Sequence, residues 1–260
     1  MEITVKMTVE EFENYLDYQK AKNPTMQDLK FIEKIGELLE NSNRGVPHPQ
    51  TGLEVVKLGS LYVDGSLQPV PARPWYGEIA GERGDIPRYS GGKIEFRDDV
   101  HELRWVKVTL DGKILYICDR VILCNVSWDI LNEQGLIFGR ELTLSNGARV
   151  KIRSLTGGHN WRVDGDCLSG GRPLDNEWDK IICNEANIPG LPSPESPEHN
   201  ALWSWKDIWT ICQETDEEFF AHRALRGGNS ARRWDRGAAT NTTVALGWRP
   251  CLEVLESAPL

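Results

Sequence analysis

The chain has 260 residues, 27% of them charged and 40% hydrophobic, enough for one large domain or a domain with an appendage. Its formal net charge of −9 argues against bulk nucleic-acid or membrane-surface binding and leaves only local basic patches for anions. No apolar run approaches the ~20 residues of a membrane span. The first residues are not a basic segment leading into an apolar one, so the chain reads as cytosolic or as part of a particle assembled in a cytosol. Ten tryptophans, most of them in the second half, point to a loop-rich fold pinned by aromatic side chains. The six cysteines, Cys118, Cys124, Cys167, Cys183, Cys212 and Cys251, are read as buried free thiols rather than a disulfide framework.

Taken in order, Thr8-Val9-Glu10-Glu11 has the form of a capping box opening an amphipathic helix to about Lys22. Asn23-Pro24 breaks that helix, and Leu29, Ile32, Ile35 and Leu38 continue at helical spacing until Gly45. Residues 1–45 are therefore expected to form a helical hairpin, either a packing appendage or an arm for homo-oligomerisation or partner docking. Residues 46–100 are Gly- and Pro-rich, with short strands expected at 53–58, 61–63 and 94–96 and a surface loop over 77–92. From Leu103 the pattern alternates as a strand does. Asp111-Gly112 and Asn146-Gly147 mark two hairpins, 103–118 and 140–153, and hence an antiparallel sheet. After Ser154 regular structure is expected to thin out. The exceptions are one short helix capped by Asp175, a proline-rich surface excursion over 188–200, and two last strands at 220–225 and 247–255.

The closing stretch inverts the charge of the chain. Between residues 223 and 249 lie Arg223, Arg226, Arg232, Arg233, Arg236 and Arg249, against one acidic residue, Asp235. Its segments Arg226-Gly227-Gly228-Asn229 and Leu246-Gly247-Trp248-Arg249 resemble the closing motifs of the formylglycine-generating-enzyme, or sulfatase-modifying-factor, family, a branch of the C-type-lectin-like fold. The segment from Gly171 to Trp178 is similar to the helix start of that family, and Trp203-Ser204-Trp205 to its tryptophan pair. The resemblance runs over about residues 105–256 and does not cover the first 50.

It implies an α+β protein: a C-type-lectin-like domain over 101–257, preceded by the Gly/Pro-rich segment 46–100 and the helical hairpin 1–45. Within it Trp178, Trp203, Trp205, Arg226, Gly227, Gly228, Gly247, Trp248 and Arg249 are expected to hold the scaffold. Two adjacent glycines permit close backbone approach, and guanidinium groups with five donors each can staple loop carbonyls.

The departures from the family bear on function. Its enzymes oxidise a substrate cysteine with a cysteine pair just after the Gly-Gly turn; here those places hold Ser230, Ala231, Arg232, Arg233 and Trp234. No cysteine lies between Cys212 and Cys251, so thiolate chemistry lacks its residues there. Other users of the fold are binding modules, among them phage tail adhesins and bacterial or phage variable proteins. In these the loop between the Gly-Gly turn and the final Gly-x-Arg faces the ligand. Carried over, that surface comprises Asn229, Ser230, Arg232, Arg233, Trp234, Arg236, Asn241, Thr242 and Thr243, residue types suited to recognition.

No histidine pair, Cys-x-x-Cys pair, phosphate loop or nucleophile elbow is present in the sequence, and no cofactor or metal is expected. Asp216-Glu217-Glu218 reads as an exposed acidic turn. The expectation is a non-catalytic recognition protein of phage or prophage origin, binding a bacterial protein or surface glycan, with nucleic-acid and membrane partners disfavoured. A virion adhesin or tail component and an inhibitor of a host defence system both remain open. The enzyme alternative, a formylglycine-generating-enzyme-like oxidase, would depend on Cys212 or Cys251.

Overall fold

The computed structural model describes residues 53–71, 86–100 and 102–256, which belong to one compact unit, Pro47–Leu260. The hairpin expected over 1–45, with the oligomer contact assigned to it, and residues 77–85 of the expected loop lie outside the described residues. The fold is α+β and mainly β. Sixteen strands fall in four sheets, with only short helical segments among the described residues. No described helix is long and apolar enough to cross a membrane.

The largest sheet has the order β1-β5-β6-β16-β9-β8, formed by Glu54–Lys57, Arg104–Leu110, Lys113–Cys118, Pro250–Glu256, Arg149–Ser154 and Arg140–Thr143 respectively. Both expected hairpins are there. Asp111 and Gly112 adopt the positive φ values, 52° and 78°, that a two-residue hairpin turn demands. The second hairpin turns through Ser145, Asn146 and Gly147, with Gly147 at φ 88°. Strand β1 comes from the Gly/Pro-rich segment and pairs with β5 across the boundary expected at residue 101. The last strand, β16, enters between β6 and β9 and so joins the two hairpins into one sheet.

Side chains alternate along these strands and feed two cores. Trp105, Cys118 and Leu252 point to one, with Ile152, Trp128 and Trp248; Val106, Val108, Ile117 and Cys251 point to the other, with Trp178, Trp203 and Trp234. A fully buried aliphatic side chain contributes about 1.5–3 kcal/mol, so two filled faces explain why a strand as short and polar as β1 can be held at the edge.

A second sheet has the order β14-β13-β12-β15-β7: Trp234–Ala238, His222–Gly227, Trp209–Thr215, Leu246–Trp248 and Leu123–Cys124. Two smaller sheets are β3-β2-β4 (Ser66–Leu67, Ser60–Val63, Ile94–Arg97) and the hairpin β10–β11 (Asn160–Val163, Asp166–Arg172). Helix α1, Trp128–Glu133, is capped by Ser127, whose hydroxyl accepts from the Ile130 amide. Helix α2 spans Pro197–Trp203.

Several expectations are corrected. Strands β10, β11, β12 and β14 occupy stretches read as irregular, because polar residues and glycines interrupt their alternation although each pairs with a strand nearby in the chain. The short helix after Asp175 is a π-helical turn, Trp178–Ile182. Its N-cap residue is Glu177, and the side chain ahead of it that takes up a first-turn amide is Asn176, whose Oδ1 accepts from Asp179, while Asp175 is exposed and pairs with Lys180. The proline-rich segment 188–200 is not wholly a surface excursion, since Leu191, His199 and Asn200 are buried.

Candidate functional site

The closing stretch is organised by the Gly-Gly turn at the end of β13. Gly227 and Gly228 have φ values of 97° and 79°, in the left-handed region that favours glycine. A Cβ on Gly228 would lie 2.7 Å from the Trp209 ring. The Gly228 amide donates to the carbonyls of Trp205 and Ile208, at 3.1 and 3.0 Å, which fastens the turn to the segment leading into β12.

Two buried arginines converge behind this turn, Arg226 at the end of β13 and Arg249 between β15 and β16. Arg226 is fully buried and forms a two-pronged pair with the fully buried Asp179, at 2.5 and 3.1 Å. Its other contacts are the carbonyls of Gly157, Arg233 and Arg232. Asp179 also accepts from the Gly171 amide and the Asn176 side chain. Burial alone would raise the Asp179 carboxyl, but the Arg226 guanidinium and the donated hydrogen bonds outweigh it and hold its pKa below the ordinary value. Arg249 is also fully buried, yet its acceptors are the Cys118, Trp203 and Ser204 carbonyls and the Thr210 hydroxyl. Burial without a bonded carboxylate lowers its pKa to about 10. Both guanidinium groups lie 5.6 Å from the Trp178 ring, so the tryptophan is flanked by two arginines. Trp178 donates to the Ala231 carbonyl at 2.7 Å, tying the π-turn to the segment after the Gly-Gly turn.

The residues expected on the ligand-facing loop divide. Asn229, Asn241 and Thr242 are exposed; Ser230, Arg232, Arg233, Arg236 and Thr243 are half-buried. Trp234 is a correction: it has no exposed surface, donates to the Gly158 carbonyl at 3.0 Å, and packs edge-on to Trp161. It opens strand β14, and register with Arg226 on β13 carries its indole into the core. Thr243 serves a turn, its carbonyl accepting from Asn125 and Leu246 and its hydroxyl from Ala245. Of the scaffold set, Trp178, Trp203, Arg226, Gly227, Gly228, Gly247, Trp248 and Arg249 are buried, and Trp205 is half-buried.

The outward arginines do not form an open basic patch. Arg232 pairs with Glu185 and lies 3.6 Å from Glu195; Arg233 pairs with Asp235 and stacks over Trp209. Arg236 reaches Asp216 at 3.0 Å and Glu218 at 3.5 Å, and stacks over both Phe219 and Trp161. Arg223 stacks over Trp128 at 4.3 Å and donates to the Phe220 and His222 carbonyls. The result is a surface of interleaved arginines and rings, its charges met by acids from distant segments.

Sequence reasoning missed the centre of this surface, the turn between β12 and β13. Asp216 is not exposed: its Oδ1 accepts from the amides of Glu218 and Phe219, and its Oδ2 from Arg236. That internal brace lifts Phe219 and Phe220 outward. The signal available was the pair of adjacent phenylalanines in a stretch too acidic to continue a core strand.

All six cysteines are free, and Cys167 alone is not fully enclosed. Burial pushes the Cys118 thiol up to about 12 and raises those of Cys183, Cys212 and Cys251 well above the ordinary value. Among the described residues, no group of three or more His, Cys, Asp or Glu is arranged to hold a metal ion. Comparison of the chain with protein-family models, with curated proteins and with solved structures finds no match.

Proposed function

We propose that the chain is a non-catalytic recognition protein on a C-type-lectin-like, formylglycine-generating-enzyme-like scaffold. In this reading it is encoded by a phage or prophage, binds a bacterial protein or surface glycan, and serves as a virion adhesin or as an inhibitor of a host defence system. The observation that carries the proposal is the braced arginine–aromatic surface around β12, β13 and β14. Rings and guanidinium groups held in fixed stacks lose little freedom on binding, and aromatic and arginine side chains dominate binding energy at interfaces. The convergence of Arg226, Arg249 and Trp178 on one buried stack supports the scaffold assignment. The thiols support the non-catalytic reading, since a buried thiol held protonated supplies no thiolate nucleophile.

The test separates binding from chemistry. Labelled full-length chain is titrated against fractionated bacterial envelope and soluble proteins and against arrayed glycans, alongside the Cys212→Ser and Cys251→Ser variants. Saturable binding that both variants retain is the expected result. Oxidation of a cysteine-containing peptide by the wild-type chain, lost in either variant, would establish the oxidase instead.

A further inference from the structure

We infer, building on the recognition reading, that the partner is a protein. It docks an apolar pocket with a cationic rim onto the rings of Phe219, Phe220 and Phe138. These three are among the most exposed large apolar side chains of the described residues, at 47%, 78% and 59%. They border one surface. Phe138 packs edge-on against Trp128, Arg223 stacks over Trp128, and the same Arg223 donates to the Phe220 carbonyl. The Asp129 amide donates to Ala239, and the Ala239 amide to Ala221, which ties α1, the start of which carries Trp128, to the β12–β13 turn.

The rings are presented, not left over from poor packing. Phe219 lies 4.0 Å from the Arg236 guanidinium and edge-on to His222, while Asp216 fixes the backbone beneath it. A ring so held gives up little entropy on docking, and each phenylalanine can bury on the order of 150–250 Å².

Two features select the partner's chemistry. A glycan presents hydroxyl groups that need free donors and acceptors. On this surface Arg236 and Asp216 are already bonded to each other, Arg223 donates to two backbone carbonyls and its Nε is buried, whereas the rings are unsatisfied except by solvent. The charges also stand at different heights. Glu218 is 55% exposed and Glu217, which pairs with the 35% exposed Arg172, 43%, while Arg236, at 23%, lies down against its rings. An approaching partner therefore meets carboxylates first, around an apolar centre, on a chain of net charge −9. A basic rim is attracted at long range and an acidic one repelled.

The experiment selects a random peptide display library on immobilised full-length chain, then measures the synthesised winners by surface plasmon resonance at two salt concentrations. Enriched peptides are expected to join apolar residues to lysine or arginine. The Phe220→Ser variant should weaken them by about tenfold or more, mainly through faster dissociation, with Phe138→Ser as an independent second variant. The Glu217→Gln/Glu218→Gln pair should slow association and flatten its salt dependence. Phe220 is too exposed for its replacement to unfold the chain, and thermal unfolding of each variant verifies this. Peptides that are acidic, or that bind both phenylalanine variants as well as wild type, overturn the inference and leave recognition through another surface. Saturable binding on a glycan array without peptide enrichment overturns the protein partner but keeps the recognition reading; binding of neither probe overturns both. Sedimentation showing a dimer that Phe220→Ser dissociates would identify a second copy of this chain as the occupant instead.

Discussion

At the inner end of the β13–β14 hairpin Arg226 faces Trp234 across the ladder, and both side chains are fully buried; farther along, Ala224 faces Arg236, whose guanidinium lies on Phe219 at the surface. The chemistry of the two arginines is the same, and their energetic setting is opposite. Arg226 has left water and is stable only because Asp179 and three carbonyls take up its donors. Arg236 keeps part of its hydration, so its pair with Glu218 adds little, while its bond to the buried Asp216 and its stacking shape a surface. The contrast teaches that arginine enrichment marks a scaffold where the sheet ends close over it, and a contact surface where they open.

The sharpest way to break that comparison is at the inner end. Asp179→Leu leaves the Arg226 charge buried without its carboxylate, and loss of one member of a buried pair costs about 3–5 kcal/mol. Urea unfolding should show that loss, and adding Arg226→Met to Asp179→Leu should recover part of it. Equal costs for the single and double variants would mean the pair is not what holds this end.

A smaller effect comes from acid. Near the Gly-Gly turn, His199 accepts from the Trp205 indole at 2.7 Å through Nδ1, while its Nε2 meets the Ile182 carbonyl. Burial lowers its pKa below the ordinary 6.5, more than the Ile182 carbonyl raises it, with Glu195 favouring the charged ring and Arg249 and Arg232 opposing it. The neutral ring is thus the folded form, whereas the unfolded chain takes up a proton near 6.5. Its contribution is complete above that pH and is lost as pH falls toward the lower folded pKa, about 1.4 kcal/mol for each unit between them. Thermal unfolding between pH 7.5 and 5 should show the decline, and His199→Gln should reduce its slope.

The least effect on stability is expected at the outer end. Arg236→Ala removes the exposed Glu218 pair, worth about 0.2–1 kcal/mol, and one bond to the buried Asp216, which keeps the Glu218 and Phe219 amides, so the unfolding midpoint should fall less than for Asp179→Leu. Partner binding should nonetheless fall, because Phe219 loses the cation on which it rests. Large destabilisation with unchanged binding would invert the roles of the two ends.

Much of the first sheet was legible in the residues. Alternation over 103–118 and the Asp111-Gly112 turn are local features, and turn chemistry acts between near neighbours whatever the rest of the chain does. Strand β14 was not legible. Trp234-Asp235-Arg236-Gly237-Ala238 has polar residues where a strand pattern wants apolar ones, and it forms because β13 offers a partner and Trp161 packs edge-on against the indole. Trp234 was expected at the contact surface for that reason: its neighbours in sequence are arginines, but in space it meets Trp161 and the Gly158 carbonyl inside the core.

By itself the sequence determined the glycines that make the Gly227-Gly228 turn, the hairpin turns, and the surplus of arginine between residues 223 and 249. Only the tertiary structure decided what that surplus means. The lone acidic neighbour, Asp235, becomes one of several partners once Asp179, Glu185, Glu195, Asp216 and Glu218 are folded against the stretch. Asp179 and Arg226 are 47 positions apart, and no short-range rule pairs residues so distant. Charge acts through space, and burial multiplies its strength by excluding water, so the worth of each arginine was set by the fold around it.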